Sequence, residues 1–175
     1  MTVHAFVDET KHRGFVMVAA VVHPRDLAAT RTTMRRLCLP GQPRLHFQKE
    51  QRGRRAEIAA AVARSLARLD VYDARAIDNL RIARTACLQR IATNLVAEAG
   101  HRLVVEQDDS LIRADRADLY AALKGLNDDE QLSYEHVPAR SEPLLWIADA
   151  AAWCWTHGVV WQDRIRDRVG TVYVL

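Results

Sequence analysis

Residues 3–22 read Val-His-Ala-Phe-Val-Asp-Glu-Thr-Lys-His-Arg-Gly-Phe-Val-Met-Val-Ala-Ala-Val-Val, and this stretch decides the fold class. Its first five residues are rich in β-formers and end on the acids Asp8 and Glu9. A polar stretch over 8–13 follows. Residues 14–22 are then an almost unbroken apolar run with many β-branched side chains, the pattern of a strand buried on both faces. Two such runs about one polar turn predict an antiparallel hairpin.

Outward from the hairpin, helical and strand patterns alternate. Pro24 opens a helix to about residue 38, and Leu39-Pro40-Gly41-Gln42-Pro43 breaks it. Residues 44–48 read as a short extended segment carrying His46. Ile58, Val62, Leu66 and Leu69 mark an amphipathic helix over 52–69, followed by a strand over 71–77. Leu88, Ile91, Leu95 and Val96 line a helix over 80–99 that Gly100 ends. A strand at 101–106, a helix at 113–126 and a half-buried strand at 132–137 come next. Pro143 starts a strongly apolar helix to about residue 157, and 169–175 can add an edge strand. The order implies an α/β protein: a mixed β-sheet, antiparallel at one side and parallel beyond, with helices packed on its faces. No repeat or Ser/Gly linker divides the 175 residues, so the chain reads as a single domain over 1–175.

Composition narrows the class. With 49% hydrophobic and 27% charged residues, the chain can bury a substantial core, which excludes disordered and fibrous classes. Lys plus Arg is 25 against 22 Asp plus Glu, so the net charge of +3 permits a polyanionic partner without demanding one. Lysine occurs only at Lys11, Lys49 and Lys124, so the arginine abundance reads as coding bias more than as phosphate binding. Three cysteines without CxxC spacing argue against a disulfide framework or zinc site and for a reducing compartment. No signal segment is read at the N-terminus, and no apolar stretch is long enough to span a bilayer. The expectation is a soluble, cytoplasmic protein with no membrane partner. The absence of GxxxxGK[ST], GxGxxG and HExxH patterns speaks against nucleotide-binding loops and a zinc protease site.

The acids carry the functional reading. Asp8 and Glu9 close the first strand, and as consecutive strand residues they face opposite ways. Glu106 closes a later strand with Asp108 two residues on, on the same side under a period of two. Asp149 lies inside Leu-Leu-Trp-Ile-Ala-Asp-Ala-Ala-Ala-Trp, with Leu145, Trp146, Ala152 and Trp153 at its helical neighbour positions and no ion-pair partner among them. An unpaired buried carboxylate costs several kcal/mol, so a cation must come from elsewhere, and a metal shared with the strand-end acids is one answer. Oxygen donors suit Mg²⁺ or Mn²⁺, and a pair of such ions about 4 Å apart supports phosphodiester hydrolysis. Each acid also has a plainer reading: a turn or cap for Asp8 and Glu9, a solvated strand end for Glu106 and Asp108, an Arg-paired structural acid for Asp149. His46 reads either as a contact to phosphate or water or as structural. Arg52, Arg54 and Arg55, with Arg35 and Arg36, read as phosphate holders or as a solvated helix face. Trp146, Trp153, Trp155 and Trp161 read as core packing or a homodimer surface, with base stacking as the alternative.

Taken together, Phe6-Val7-Asp8-Glu9-Thr10, Leu45-His46-Phe47, Val104-Val105-Glu106 through Ser110, and the helix from Pro143 to Trp153 resemble the DUF3800 family, which looks like a branch of the ribonuclease H-like superfamily. The resemblance covers about residues 3–158. It implies a ribonuclease H-like α/β core and a metal-dependent nuclease acting on phosphodiester bonds in RNA or DNA. By position it makes Asp8 the central ligand with Glu9 beside it, Glu106 (or Asp108 if the register slips) the later-strand acid, Asp149 the helix ligand, and His46 the histidine of a short family segment. The catalytic set so implied is Asp8, Glu9, Glu106, Asp149 and His46; the Mg²⁺ or Mn²⁺ ligands are Asp8, Glu106, Asp108 and Asp149. The chain departs from the family pattern in three places. Its usual Asp-Glu-Ser-Gly runs Asp8-Glu9-Thr10-Lys11, Trp146 stands where a Gln is common, and the third acid is Glu106 and not Asp. The alternative is a catalytically inactive ribonuclease H-like module that binds nucleic acid or protein. Geometry separates the two: clustered carboxylates favour the enzyme, and an Asp149–Arg pair favours the module.

Overall fold

A computed structural model describes residues 2–124 and 132–175. Among them the strands β1 (Val3–Thr10), β2 (Val16–Val22), β3 (Arg68–Asp73), β4 (Gly100–Glu106), β5 (Ser133–Val137) and β6 (Val169–Val174) form one sheet in the order β5-β4-β1-β2-β3-β6. The hairpin forms as expected, with Phe6 opposite Ala20 and Glu9 opposite Met17. Gly14 makes its turn possible: φ is +105°, and a Cβ there would lie 2.9 Å from the Arg75 side chain. All seven residues of β2 are buried, which is why their run is apolar without alternation. The sheet differs from the expected one-sided arrangement. β1, β2 and β3 pair antiparallel at the centre, while β4, β5 and β6 add in parallel at both flanks.

The helices are α1 (Leu27–Arg35), α2 (Arg52–Arg64), α3 (Leu80–Ala97), α4 (Ile112–Lys124), α5 (Pro143–Thr156) and α6 (Val159–Ile165). Strand parity sorts the core into two layers. Phe6, Val16, Val18, Ala20 and Val104 meet α1, α2, α5 and α6 on one face; Ala5, Val7, Met17, Ala19 and Val105 meet α3 and α4 on the other. α5 lies directly on β1 and β2, ringed by α1, α2 and α6, and so is apolar almost all round. Glu142 caps its N-terminus through the Leu144 N–H and is clamped by Arg31 at 2.8 Å. The Trp146 indole N–H donates to the Ala139 carbonyl at 2.6 Å, so this tryptophan is core. No helix among the described residues is long and apolar enough to cross a membrane.

Several boundaries differ from expectation. α2 stops at Arg64 because Ser65 turns extended; Leu66, assigned to the apolar helix face, is 55% exposed, and Leu69 belongs to β3 opposite Ala20. β3 accordingly ends at Asp73, where the Asp73 carboxylate grips Arg75 and the chain turns through Ala74 and Ile77. Gly100 does not end α3. Ala99 takes the left-handed position (φ +53°), and Gly100 opens β4 because a Cβ there would sit 2.9 Å from the Leu95 carbonyl oxygen. His46 is itself extended, but it leads into a 3-10 turn, Phe47–Lys49, instead of continuing a strand. α6 was not anticipated. The expected helix end at 125–126 lies outside the described residues.

Candidate active site

Parallel pairing sets Val7 beside Val105, so the next residues of the two strands, Asp8 and Glu106, leave the sheet side by side. Both have the parity of Phe6 and Val104, which face α5. Asp149 is the single acid of α5, and the helix lies on β1. Asp8, Glu106 and Asp149 thereby line one open cavity of about 470 Å³, with Arg44 and His46 from the segment before the 3-10 turn. Three acids far apart in the chain thus line one cavity.

Their electrostatics are strained. Asp8 is 9% exposed. Burial pushes its carboxyl well above the usual carboxylate range, aided by a hydrogen bond with Glu106 and by the charges of Glu106, Asp149 and Glu9. Asp8 Oδ1 also accepts the Glu9 N–H at 2.7 Å. Burial raises Asp149 too, and Glu106 adds to the rise; the Phe47 N–H, donated at 3.0 Å, and nearby His46 work against it. The cations at the site go to other acids: Arg44 Nη1 holds Glu106 Oε1 at 2.8 Å, and Lys11 lies 3.6 Å from Glu9. Asp149 is not the Arg-paired structural acid of the plainer reading. Its partner is a backbone N–H that the 3-10 turn aims at it. His46 Nδ1 is buried with no hydrogen-bond partner.

Two expected site residues stand beside these three acids with other partners. Glu9 takes the opposite strand parity, and its carboxylate meets Arg84 Nη1 at 2.8 Å, although the residue also lines the cavity. Behind it lies an ion cluster on the α3–α4 face that sequence reasoning missed. Asp115, fully buried, takes Arg84 on both oxygens at 2.8 Å and His136 Nε2 at 3.0 Å, and the guanidinium holds its carboxyl down at about 2. Asp108, expected as a ligand, is exposed. It accepts the Ser110 N–H at 3.0 Å and hydroxyl at 2.6 Å, a local turn that starts the approach to α4 and holds its carboxyl low. It lines a neighbouring hollow with Asp8, Glu9 and Glu106, but Asp149 is not part of that lining.

The arginine cluster is likewise structural in part: Arg54 binds Glu57, Glu50 and the Leu37 carbonyl, and Arg55 binds the Phe47 and Gln48 carbonyls while lying over Trp153. Arg44 was missed altogether, although its place two residues before His46 puts it on the same extended segment.

As they stand, no three His, Cys, Asp or Glu side chains among the described residues are arranged to hold a metal ion. Arg44 occupies Glu106, so the convergent acids do not form a finished ligand set. The donor chemistry nonetheless matches a hard cation: three carboxylates from three elements, with the Asp8 carboxyl raised by burial and by its acidic neighbours.

No family model matches the chain, and no curated protein matches it in sequence. Among solved structures it is similar to the PCNA:RNase HII complex from Archaeoglobus fulgidus, with 16% identity and a TM-score of 0.57 over 89% of this chain and 72% of that chain. The fold is ribonuclease H-like. At that identity the likeness carries the architecture alone, and the site must be argued from its own residues.

Proposed function

We propose that this protein is a metal-dependent nuclease hydrolysing phosphodiester bonds in RNA or DNA, consistent with its resemblance to the DUF3800 family. One observation carries the reading. Asp8, Glu106 and Asp149 leave β1, β4 and α5 to share one cavity, and burial raises the carboxyls of Asp8 and Asp149, with Glu106 adding to both and Asp149 to that of Asp8. Crowding buried acids costs several kcal/mol unless a cation compensates, and a fold has no packing reason to do so. Asp8, Glu106 and Asp149 are the residues that would hold Mg²⁺ or Mn²⁺. When bound, such an ion supplies Lewis acidity that activates water and offsets charge on the leaving oxygen.

The chain's own groups complete the site. Arg44, released from Glu106, is placed to hold a phosphate oxygen. The Phe47 N–H fixes the rotamer of Asp149, and His46 stands beside it with an unpaired Nδ1. Lys11 on the rim adds a second phosphate contact that positions the strand without reading its sequence.

A second reading, a non-catalytic nucleic-acid- or protein-binding module, is favoured by the Arg44–Glu106 pair, which already neutralises one of the three acids. A cleavage panel on single-stranded, duplex and hybrid substrates with Mg²⁺ or Mn²⁺, run beside Asp8→Asn and Asp149→Asn, decides between them. The nuclease reading expects cleavage that needs the ion and falls at least a hundredfold in each variant. Activity indifferent to both substitutions, or no cleavage of any substrate, rejects it.

A further inference from the structure

The cavity has a second wall that the metal chemistry does not use. Asp149, Trp153 and His157 follow one another at intervals of four residues along α5 and its C-cap, so they share one stripe of the helix. At 1.5 Å per residue the stripe runs about 12 Å outward from the carboxylate. Trp153 and His157 stack at 3.6 Å between centroids with 9° between planes, and His12 stacks on His157 at 4.2 Å and 16°. Phe47 and Trp161 pack against Trp153 at a tilt and edge-on, and Arg55 covers the indole at 4.6 Å. The column is therefore rigid at its inner end.

His157 is also pinned by its Nδ1–H, donated to the Trp153 carbonyl at 2.7 Å. His12 differs. It sits exposed in the β1–β2 turn, and among the described residues its imidazole makes no hydrogen bond, so stacking alone holds it over His157. All three rings line the same cavity as Asp8, Glu106 and Asp149.

A flat ring laid on a column of parallel rings, beside a carboxylate cluster and rimmed by Lys11 and Arg44, has the parts of a base-stacking platform next to a phosphate track. Bases inside a duplex already have both faces covered by their neighbours. We propose that an unpaired nucleobase flanking the reactive phosphate stacks on His12 and extends the His12–His157–Trp153 column, so that the substrate class is single-stranded nucleic acid. The reactive phosphate in this statement rests on the nuclease reading; the stacking does not.

The test is binding without metal. Fluorescence anisotropy in EDTA at low salt compares a labelled dT 12-mer, a 12-mer of the same sugar-phosphate lacking bases, and a 12-bp duplex, on the wild type, His12→Ala and His12→Phe. The wild type is expected to bind the dT 12-mer about tenfold more tightly than either other probe. His12→Ala should lose about tenfold on the dT 12-mer and little on the baseless strand, and His12→Phe should restore the difference. Equal binding of the dT and baseless strands, equal binding of duplex, an unchanged His12→Ala or no binding of any probe overturns the proposal. A protein that passes this test but cleaves nothing with Mg²⁺ or Mn²⁺ keeps its platform and loses the nuclease reading. One that cleaves duplex with His12→Ala unaffected does the reverse.

Discussion

Asp115→Asn strikes the buried ion cluster behind Glu9. The Asp115 side chain has no exposed surface and carries Arg84 on both oxygens and His136 on one. The drop of its carboxyl from 3.8 to about 2 is worth roughly 2.5 kcal/mol at about 1.4 kcal/mol per unit. Removing one partner of a buried pair also strands the other, and such losses run to about 3–5 kcal/mol. Asparagine keeps one acceptor for Arg84, so the expected destabilisation at pH 7 is about 3 kcal/mol, or a fall in Tm of about 6–12 °C for a chain of this size. The pH dependence carries the sign. A depressed carboxyl stabilises the fold fully well above 3.8 and loses that contribution as pH falls through about 2. Urea denaturation at pH 7, 5, 4 and 3 should therefore show the gap between wild type and variant narrowing on acidification. A loss under 1 kcal/mol at pH 7, or a gap that does not change with pH, would refute the reasoning.

Asp8→Asn should behave in the opposite sense. Because the Asp8 carboxyl is raised, its ionisation costs stability as pH climbs above 3.8, so in EDTA the variant should melt above the wild type at neutral pH and match it near pH 4. Mg²⁺ at ten times its dissociation constant should raise the wild-type Tm by about 3–5 °C and leave Asp8→Asn unmoved; equal shifts in both would remove Asp8 from the ligand set. At the end of α3, Ala99→Gly should stabilise by about 1 kcal/mol, because Ala99 holds a left-handed φ. Gly100→Ala should cost about 1–3 kcal/mol, because its Cβ would meet Leu95 at 2.9 Å. Chemical denaturation of the two single variants checks both signs.

The parts of the fold that could be read from the sequence were those in which one force dominates. The run through β2 is apolar because both faces are buried, and α5 is apolar because helices ring it, so neither needed long-range knowledge. Asp149 stood out for the same reason: a charge in such a helix contradicts its surroundings. Where local signals compete, expectation slipped. Leu66 and Leu69 continue a helical spacing that Ser65 has already ended, and Gly100 looks like a helix stop although close packing against Leu95 is what requires it. The pairing of Asp8 with Glu106 follows from strand parity once the two strands are neighbours, but their adjacency is long-range. Arg44 on Glu106 and Arg84 on Asp115 span 62 and 31 residues, and no local pattern announces either. The stripe Asp149–Trp153–His157 was open to reading from its spacing, with the three other tryptophans nearby as the distraction.

The alternation at the end of β1 has a further consequence. Asp8 and Glu9 share a peptide bond, yet the Asp8 carboxylate sits among the acids beneath α5 while that of Glu9 pairs with Arg84 of α3. A slip of β1 by one residue would send a carboxylate to each side just the same, so charge alone does not hold the strand in register. Volume does: Phe6, with no exposed surface, has to stay under α5, and Ala5 and Val7 have to stay opposite. Ring and methyl fit thus settles which acid is short and which is long in the cavity, and a substitution that shrinks Phe6 would act at the chemistry without touching it.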